Sequence, residues 1–231
     1  MEIYAYTMTY NTGFAPCVSN GLMTLACCKT LLRYRIAGKI KDGEKDIYVI
    51  GLCGKQLAGR NDIGDEKLYT PVYIAKVSNC IECKEYYAEI DRPDKKYLFE
   101  NNNWYILSGN PHHDNVKNKQ EYPDYREDTD LYYNFRNIQR ENYVLTFEDY
   151  IYFGKKVQDI KELPKVFEAI KNIRVRSPRS NTIQLDEDNI KEFVSYFNDK
   201  KAKIDNDRTL VIDEYFENSC KKGCEGKKSN I

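Results

Sequence analysis

Histidine is almost absent from this chain: two in 231 residues, and those two are neighbours, His112 and His113. No histidine pair therefore stands at the spacing with which one helix face grips a metal, and imidazole chemistry has to come from a single loop. An excess of charge of either sign is missing as well. The 36 Lys+Arg balance the 36 Asp+Glu, so bulk attraction to nucleic acid or to a membrane surface is unsupported, and only a local patch would serve. Long apolar runs are missing too. No window reaches the roughly 18 apolar residues that span a bilayer. Met1-Glu2-Ile3-Tyr4 enters a strand directly, without the basic segment and apolar stretch of a secretory leader. A cytoplasmic protein without membrane contact is expected, with its eight cysteines reduced. There is no Gly-x-Gly-x-x-Gly and no Gly-x-Ser-x-Gly, which removes the dinucleotide fingerprint and the hydrolase elbow.

What is present is aromatic and mixed. The length suits one large domain, or one domain with an appendage, and can bury a core without disulfides. With 41% hydrophobic and 31% charged residues the chain is globular rather than disordered. Its 20 tyrosines and nine phenylalanines suit strands, and they also suit stacking on bases. Strands are expected over 3–10, 46–52, 71–78, 103–107 and 143–153. Residues 22–37 read as a strand followed by a short helix from Lys29 to Ile36. The segment after Asn79, CIECKEYYAEI, reads as a short helix capped by Ser78 or Asn79. Residues 108–142 form a long polar connection of the kind that is functional or flexible.

Two helices follow. Leu163, Val166, Phe167 and Ile170 share one face. Behind the acidic run Asp186-Glu187-Asp188, residues Ile190, Phe193, Val194 and Phe197 share another. The tail from about residue 218 is rich in Lys, Gly and Ser. The fold class is α+β: a mixed or barrel-like sheet with flanking helices over 1–175, and a helical C-terminal extension over 176–231.

Candidate chemistry concentrates in three places. The first is the break Gly13-Phe14-Ala15-Pro16 between two apolar runs, followed by Thr24 and by Cys27-Cys28-Lys29. Glycine permits close backbone approach, and a lysine can meet a phosphate, though a turn with an aromatic plug explains the break as well. The second is Gly51-Leu52-Cys53-Gly54-Lys55 after the strand DIYVI. It lacks the Walker spacing and has no Ser/Thr after the lysine. The third is the histidine pair in the polar connection, a strand-end position suited to acid–base work or to a hydrogen bond with a base edge. Cys80-x-x-Cys83 and Cys220-x-x-x-Cys224 could in principle supply four thiolates to zinc. The first pair reads instead as helix-face residues and the second lies in the lysine-rich tail, so neither a metal nor another cofactor is expected.

Taken together, Tyr4 to Tyr10, Gly13-Phe14-Ala15-Pro16, Gly21, Thr24-Leu25-Ala26, Cys28-Lys29, Tyr48–Gly51 with Gly54, the His112-His113 loop, Val144-Leu145 and Tyr152-Phe153-Gly154 resemble the nucleotide modification associated domain family of the second type. The likeness spans about residues 3–175. The chain departs from the family pattern at Lys45-Asp46-Ile47-Tyr48, where Gly-Asp-Trp is usual, and at Gly51-Leu52-Cys53-Gly54, where Gly-Thr-Gly is usual. The resemblance implies a bacterial or phage protein associated with DNA base modification and defence. A further, architectural likeness is to barrels of the PUA type, which hold a flipped or modified base.

These readings combine into one expectation. Gly13, Phe14, Pro16, Thr24, Lys29, Gly51, Gly54 and Lys55 bind a nucleotide or nucleobase in a shared pocket, with His112 and His113 orienting or protonating the base. A rival is an enzyme, a transferase or hydrolase of modified nucleotides, with a histidine as acid or base. A third reading is a structural partner in a defence complex that docks through its C-terminal helices.

Overall fold

The computed structural model describes residues 1–9, 16–19, 22–25, 29–60, 62–82, 97–100, 103–106, 143–154, 157–177 and 180–205. In chain order their elements are β1 (Glu2–Met8), β2 (Cys17–Ser19), β3 (Leu22–Leu25), α1 (Thr30–Lys41), β4 (Ile47–Cys53), α2 (Lys55–Arg60), β5 (Pro71–Lys76), β6 (Asn79–Glu82), β7 (Tyr97–Glu100), β8 (Asn103–Ile106), β9 (Tyr143–Phe147), β10 (Asp149–Tyr152), α3 (Lys165–Arg176), β11 (Thr182–Ile183) and α4 (Glu187–Asp205). They divide between two compact units. One comprises Met1–Asn11, Glu44–Val77 and Phe147–Tyr215; the other comprises Thr12–Gly43, Ser78–Thr146 and Phe216–Ile231.

The first unit is built on a five-stranded sheet in the order β10-β5-β4-β1-β11. Its centre is β4, IYVIGLC, buried at every position. Such an unbroken apolar run suits a strand covered on both faces. β1 lies parallel to β4 in continuous register from Glu2↔Ile47 to Met8↔Cys53, while the other three pairings are antiparallel. Alternation along the strands sends Ile3, Ala5, Tyr48, Ile50, Leu52, Ile74 and Ile151 to one face, where α3 and α4 meet them. Tyr48 is gripped edge-on by Phe193 at 5.2 Å and Phe197 at 5.3 Å between ring centroids. Full burial of each such ring is worth about 1.5–3 kcal/mol. The helix set apart in sequence as an extension, α4, thus fills the same core as β4 and α3.

Local chemistry sets the helix ends. Asp186 accepts hydrogen bonds from the Asn189 backbone N (2.9 Å) and side-chain Nδ2 (2.8 Å), so the acidic run does cap α4. α3 begins after Pro164, which offers no capping side chain. The missing acceptor comes from the neighbouring helix: Glu192 Oε2 receives the Val166 N–H at 2.8 Å. That carboxylate satisfies an orphan donor and sits at the positive end of the helix.

The second unit holds a four-stranded sheet in the order β2-β3-β9-β6, the helix α1 and the hairpin β7–β8. α1 buries Leu32, Arg33, Ile36 and Ala37, and exposes Leu31 and Tyr34. The wholly buried Arg33 guanidinium donates to the Tyr143 backbone carbonyl, and Lys41 reaches the Tyr143 hydroxyl, joining α1 to β9.

Two expectations change here. The fold combines helices with two separate sheets, and among the described residues neither closes into a barrel. The five-stranded sheet ends on the two-residue β11 and on β10, and closure would require those edges to pair. Asn79–Glu82 is a strand and not the start of a helix. Asn79 does bond its side chain to the Cys80 N–H at 2.8 Å, as a cap would. The YVLTF strand β9 nevertheless provides a full ladder from Asn79↔Thr146 to Glu82↔Tyr143, and pairing overrides the local signal. Residues 83–96 lie outside the described residues.

Candidate site at the carboxyl end of the parallel pair

Because β1 and β4 run parallel in register, both finish at the same level, Met8 beside Cys53. Gly54 follows. Its N–H donates to the Met8 carbonyl at 3.2 Å, and its own carbonyl receives Ala58 N at 2.9 Å to open α2. Lys55, the first residue of that helix, is exposed. The chain returns through a single 3-10 turn, Asp65–Lys67, and reaches Tyr69, whose N–H donates to the Cys53 carbonyl at 2.8 Å. Tyr69 is held at φ 62, the left-handed region that residues with a side chain seldom adopt. Thr70 is buried, and its hydroxyl donates to the Lys67 carbonyl at 2.7 Å.

The glycines have structural reasons of their own. Gly51 lies inside β4, within the strand expected over 46–52. A Cβ there would collide with the Tyr73 ring and stand 2.6 Å from Met8 Sδ. Tyr73 is itself buried and donates its hydroxyl to the Tyr6 hydroxyl at 2.8 Å. At Gly54 a Cβ would lie 2.5 Å from the Met8 carbonyl oxygen. Tyr152-Phe153-Gly154 is a strand-end turn: Phe153 N (2.9 Å) and Gly154 N (3.1 Å) both donate to the Val72 carbonyl, with Gly154 at φ 56.

Arg174, in the last turn of α3, is the least ordinary group of this unit. It is 8% exposed. Its Nη1 donates to the Ser180 carbonyl at 2.5 Å and, at a long 3.5 Å, to the Ser177 carbonyl, while the buried Nε has no acceptor among the described residues. Burial pulls its pKa below the ordinary arginine value, against which the Tyr69 phenol acts. A buried guanidinium costs several kcal/mol unless it is well partnered, yet none of the ion pairs among the described residues involves it. The sequence does carry a signal: residue 174 lies one turn beyond Ile170, so a cation continues the buried stripe Val166, Phe167, Ile170. Tyr69 had no such signal.

In the second unit Thr24 is buried within β3, and Pro16 is buried ahead of β2. Lys29 is exposed at φ 59 immediately before α1, and its carbonyl receives the Arg33 N–H at 2.9 Å. Thr24 and Lys29 therefore belong to one unit, and Gly51, Gly54 and Lys55 to the other. Gly13, Phe14, His112 and His113, with Cys27, Cys28, Cys83, Cys220 and Cys224, lie outside the described residues. The thiol of Cys53 is pushed up to about 11 by burial, with Lys67 opposing. It is thus a buried apolar group and not a nucleophile. Among the described residues no three His, Cys, Asp or Glu side chains gather as a metal site would need, and no helix is long and apolar enough to cross a membrane.

The family model for nucleotide modification associated domain 2 matches residues 1–212. The chain belongs to this family. The nucleotide modification associated domain 2 match extends past the span expected from the resemblance, through α4, and takes in both Tyr69 and Arg174. Membership associates the domain with nucleotide modification. No curated protein and no solved structure matches the chain.

Proposed function

We propose that this domain binds a nucleotide or a modified nucleobase, in a DNA-modification or phage-defence setting. The observation that carries the reading is the family match over residues 1–212. The geometry of the first unit supports it. The carboxyl end of adjacent parallel strands is where open α/β sheets receive ligands, and here that end carries Gly54, exposed Lys55, Tyr69 and Arg174. Lys55 meets a phosphate as a point charge. In the second unit Lys29 has the same role, and Gly13, Phe14, Pro16 and Thr24 contribute to binding. His112 and His113 orient or protonate the base.

The test is mass spectrometry of small molecules that co-purify with the full chain, followed by a thermal-shift screen against nucleotides and nucleosides. A ligand that binds only the folded state raises Tm, by an amount that grows with the ratio of its concentration to Kd. Lys55→Ala is expected to reduce the shift produced by phosphorylated ligands. If neither measurement finds a nucleotide, nucleoside or base, the reading fails.

A further inference from the structure

We propose that the Nε edge of Arg174, together with the Tyr69 phenol, is a phosphoryl-binding site at the carboxyl end of β1 and β4. A guanidinium is a planar fork with two usable edges. Here Nη1 is committed to the Ser180 and Ser177 carbonyls, which fix the plane of the group against the segment leading into β11. Nε is buried and has no acceptor among the described residues. A side chain 8% exposed, oriented by one edge and unsatisfied on the other, is suited to receive two oxygens of an anion through parallel charge-assisted bonds.

Three further observations converge on the same place. No carboxylate pairs with Arg174 among the described ion pairs, so the counter-charge is left to a ligand. Tyr69, the phenol that acts electrostatically on Arg174, is fixed in a left-handed backbone conformation by its bond to the Cys53 carbonyl. Strain of this kind costs on the order of 1 kcal/mol or more and gathers at functional sites. The Tyr69 N–H is bonded to Cys53, which ends β4, and Arg174 is bonded to Ser180, next to the Asn181 carbonyl that receives the Ala5 N–H of β1, so both groups lie toward the strand end where ligands of open sheets bind. Fork geometry alone admits a carboxylate as well as a phosphate; the choice of phosphate rests on the nucleotide reading above.

The experiment uses the full chain and three probes: inorganic phosphate, a panel of deoxynucleoside 5′-monophosphates, and the matching nucleosides. Titration of the wild-type protein is followed at the Arg174 Nε–H resonance by NMR, assigned with Arg174→Lys. Affinities are measured calorimetrically. Saturating phosphate or monophosphate is expected to shift that resonance. Arg174→Lys keeps the charge but loses the fork, and is expected to weaken monophosphate binding about tenfold or more. It should leave nucleoside affinity within about twofold, since no phosphate contact is lost there. Tyr69→Phe should weaken monophosphate binding about threefold.

An unmoved Nε resonance at saturation overturns the proposal, and that measurement needs no variant to fold. Parallel loss of nucleoside and monophosphate affinity in Arg174→Lys also overturns it. Nucleoside binding with no gain from the phosphate refutes this site while leaving the nucleotide reading intact. A resonance shift with inorganic phosphate, where no nucleotide binds more tightly than phosphate itself, upholds the site and refutes the nucleotide reading.

Discussion

Replacing Gly54 by alanine separates two explanations of a glycine at a strand end, close approach of a ligand and close approach of the chain to itself. The added Cβ would stand 2.5 Å from the Met8 carbonyl oxygen and 3.5 Å from Thr7 Cβ. The obstacle is backbone. The Met8 carbonyl also accepts the Gly54 N–H at 3.2 Å, so it cannot swing aside without losing that bond. Relief therefore requires β1 and β4 to part at their carboxyl ends. Forced overpacking of this kind costs about 2–4 kcal/mol. For a chain of this size that is a fall in Tm of roughly 4–16 °C.

Gly51→Ala meets side chains instead, the Tyr73 ring, with which it collides, and Met8 Sδ at 2.6 Å. Met8 can repack, and the buried Tyr73 ring can tilt only by straining its bond to the Tyr6 hydroxyl, so the cost is about 1–3 kcal/mol. Gly38 provides the control. It is exposed on α1, and a Cβ there meets nothing within 4 Å. Gly38→Ala should stabilise by about 0.5–1 kcal/mol through helix propensity and chain entropy. The assay is urea unfolding of the three variants and the parent, followed by circular dichroism with ligand absent. The expected order of stability is Gly38→Ala, parent, Gly51→Ala, Gly54→Ala. A Gly54→Ala protein as stable as the parent would refute the packing explanation and return that glycine to the ligand.

Glu192→Ala removes the acceptor of the Val166 N–H from outside α3 and should cost about 1–2 kcal/mol in the same unfolding assay. Glu192→Gln, which keeps an oxygen, should cost less; equal losses would sink the assignment. Hydrogen bonds from Asn189 hold the Asp186 carboxyl below its ordinary value of 3.8. A depressed folded-state pKa contributes stability that is present above 3.8 and lost as pH falls through the lower folded value. Asp186→Asn should therefore flatten the acid limb of the Tm–pH curve below about pH 4, and an unchanged limb would contradict the cap. Cys53, with its thiol raised to about 11, should resist iodoacetamide at pH 8 in the native protein and react once the chain is unfolded in urea. Rapid native labelling, read by peptide mass spectrometry, would show the site to be open.

The elements that sequence alone made legible are those whose own pattern decides them. β4 and β5 are continuous apolar runs, and the stripes Val166, Phe167, Ile170 and Phe193, Phe197 have helical spacing. Each needed no partner to be recognised, because burial is written into every residue. β6 and β11 were not legible. NCIE has a capping residue and little apolar length, and it becomes a strand only because β9 is there to pair with it. Thr182-Ile183 is two residues long and is held by Ile3 and Tyr4. The closure of the sheet was misjudged for the same reason, since strand order depends on pairings between residues far apart in sequence.

The candidate site divides along the same line, and the division bears on how its residues should be tested. Glycine and lysine announce themselves in a sequence because their side chains have few roles, so Gly51, Gly54, Lys55 and Lys29 were singled out from type alone. Type does not say what a glycine approaches. At Gly51 the neighbour is Tyr73, and at Gly54 it is the Met8 carbonyl, so packing suffices to require both. An arginine on a mostly apolar helix has the opposite property. Among the eight basic residues of α1 and α3, at positions 33, 35, 39, 41, 165, 171, 174 and 176, its type is unremarkable, and only burial with an unsatisfied Nε separates Arg174 from the rest. The wholly buried Arg33 makes the contrast sharper, because its guanidinium donates to the Tyr143 carbonyl and Arg33 Nε is not left without a partner. Substitution at the glycines therefore reports first on stability, and substitution at Arg174 reports on binding, provided the wild-type Nε resonance is read alongside it.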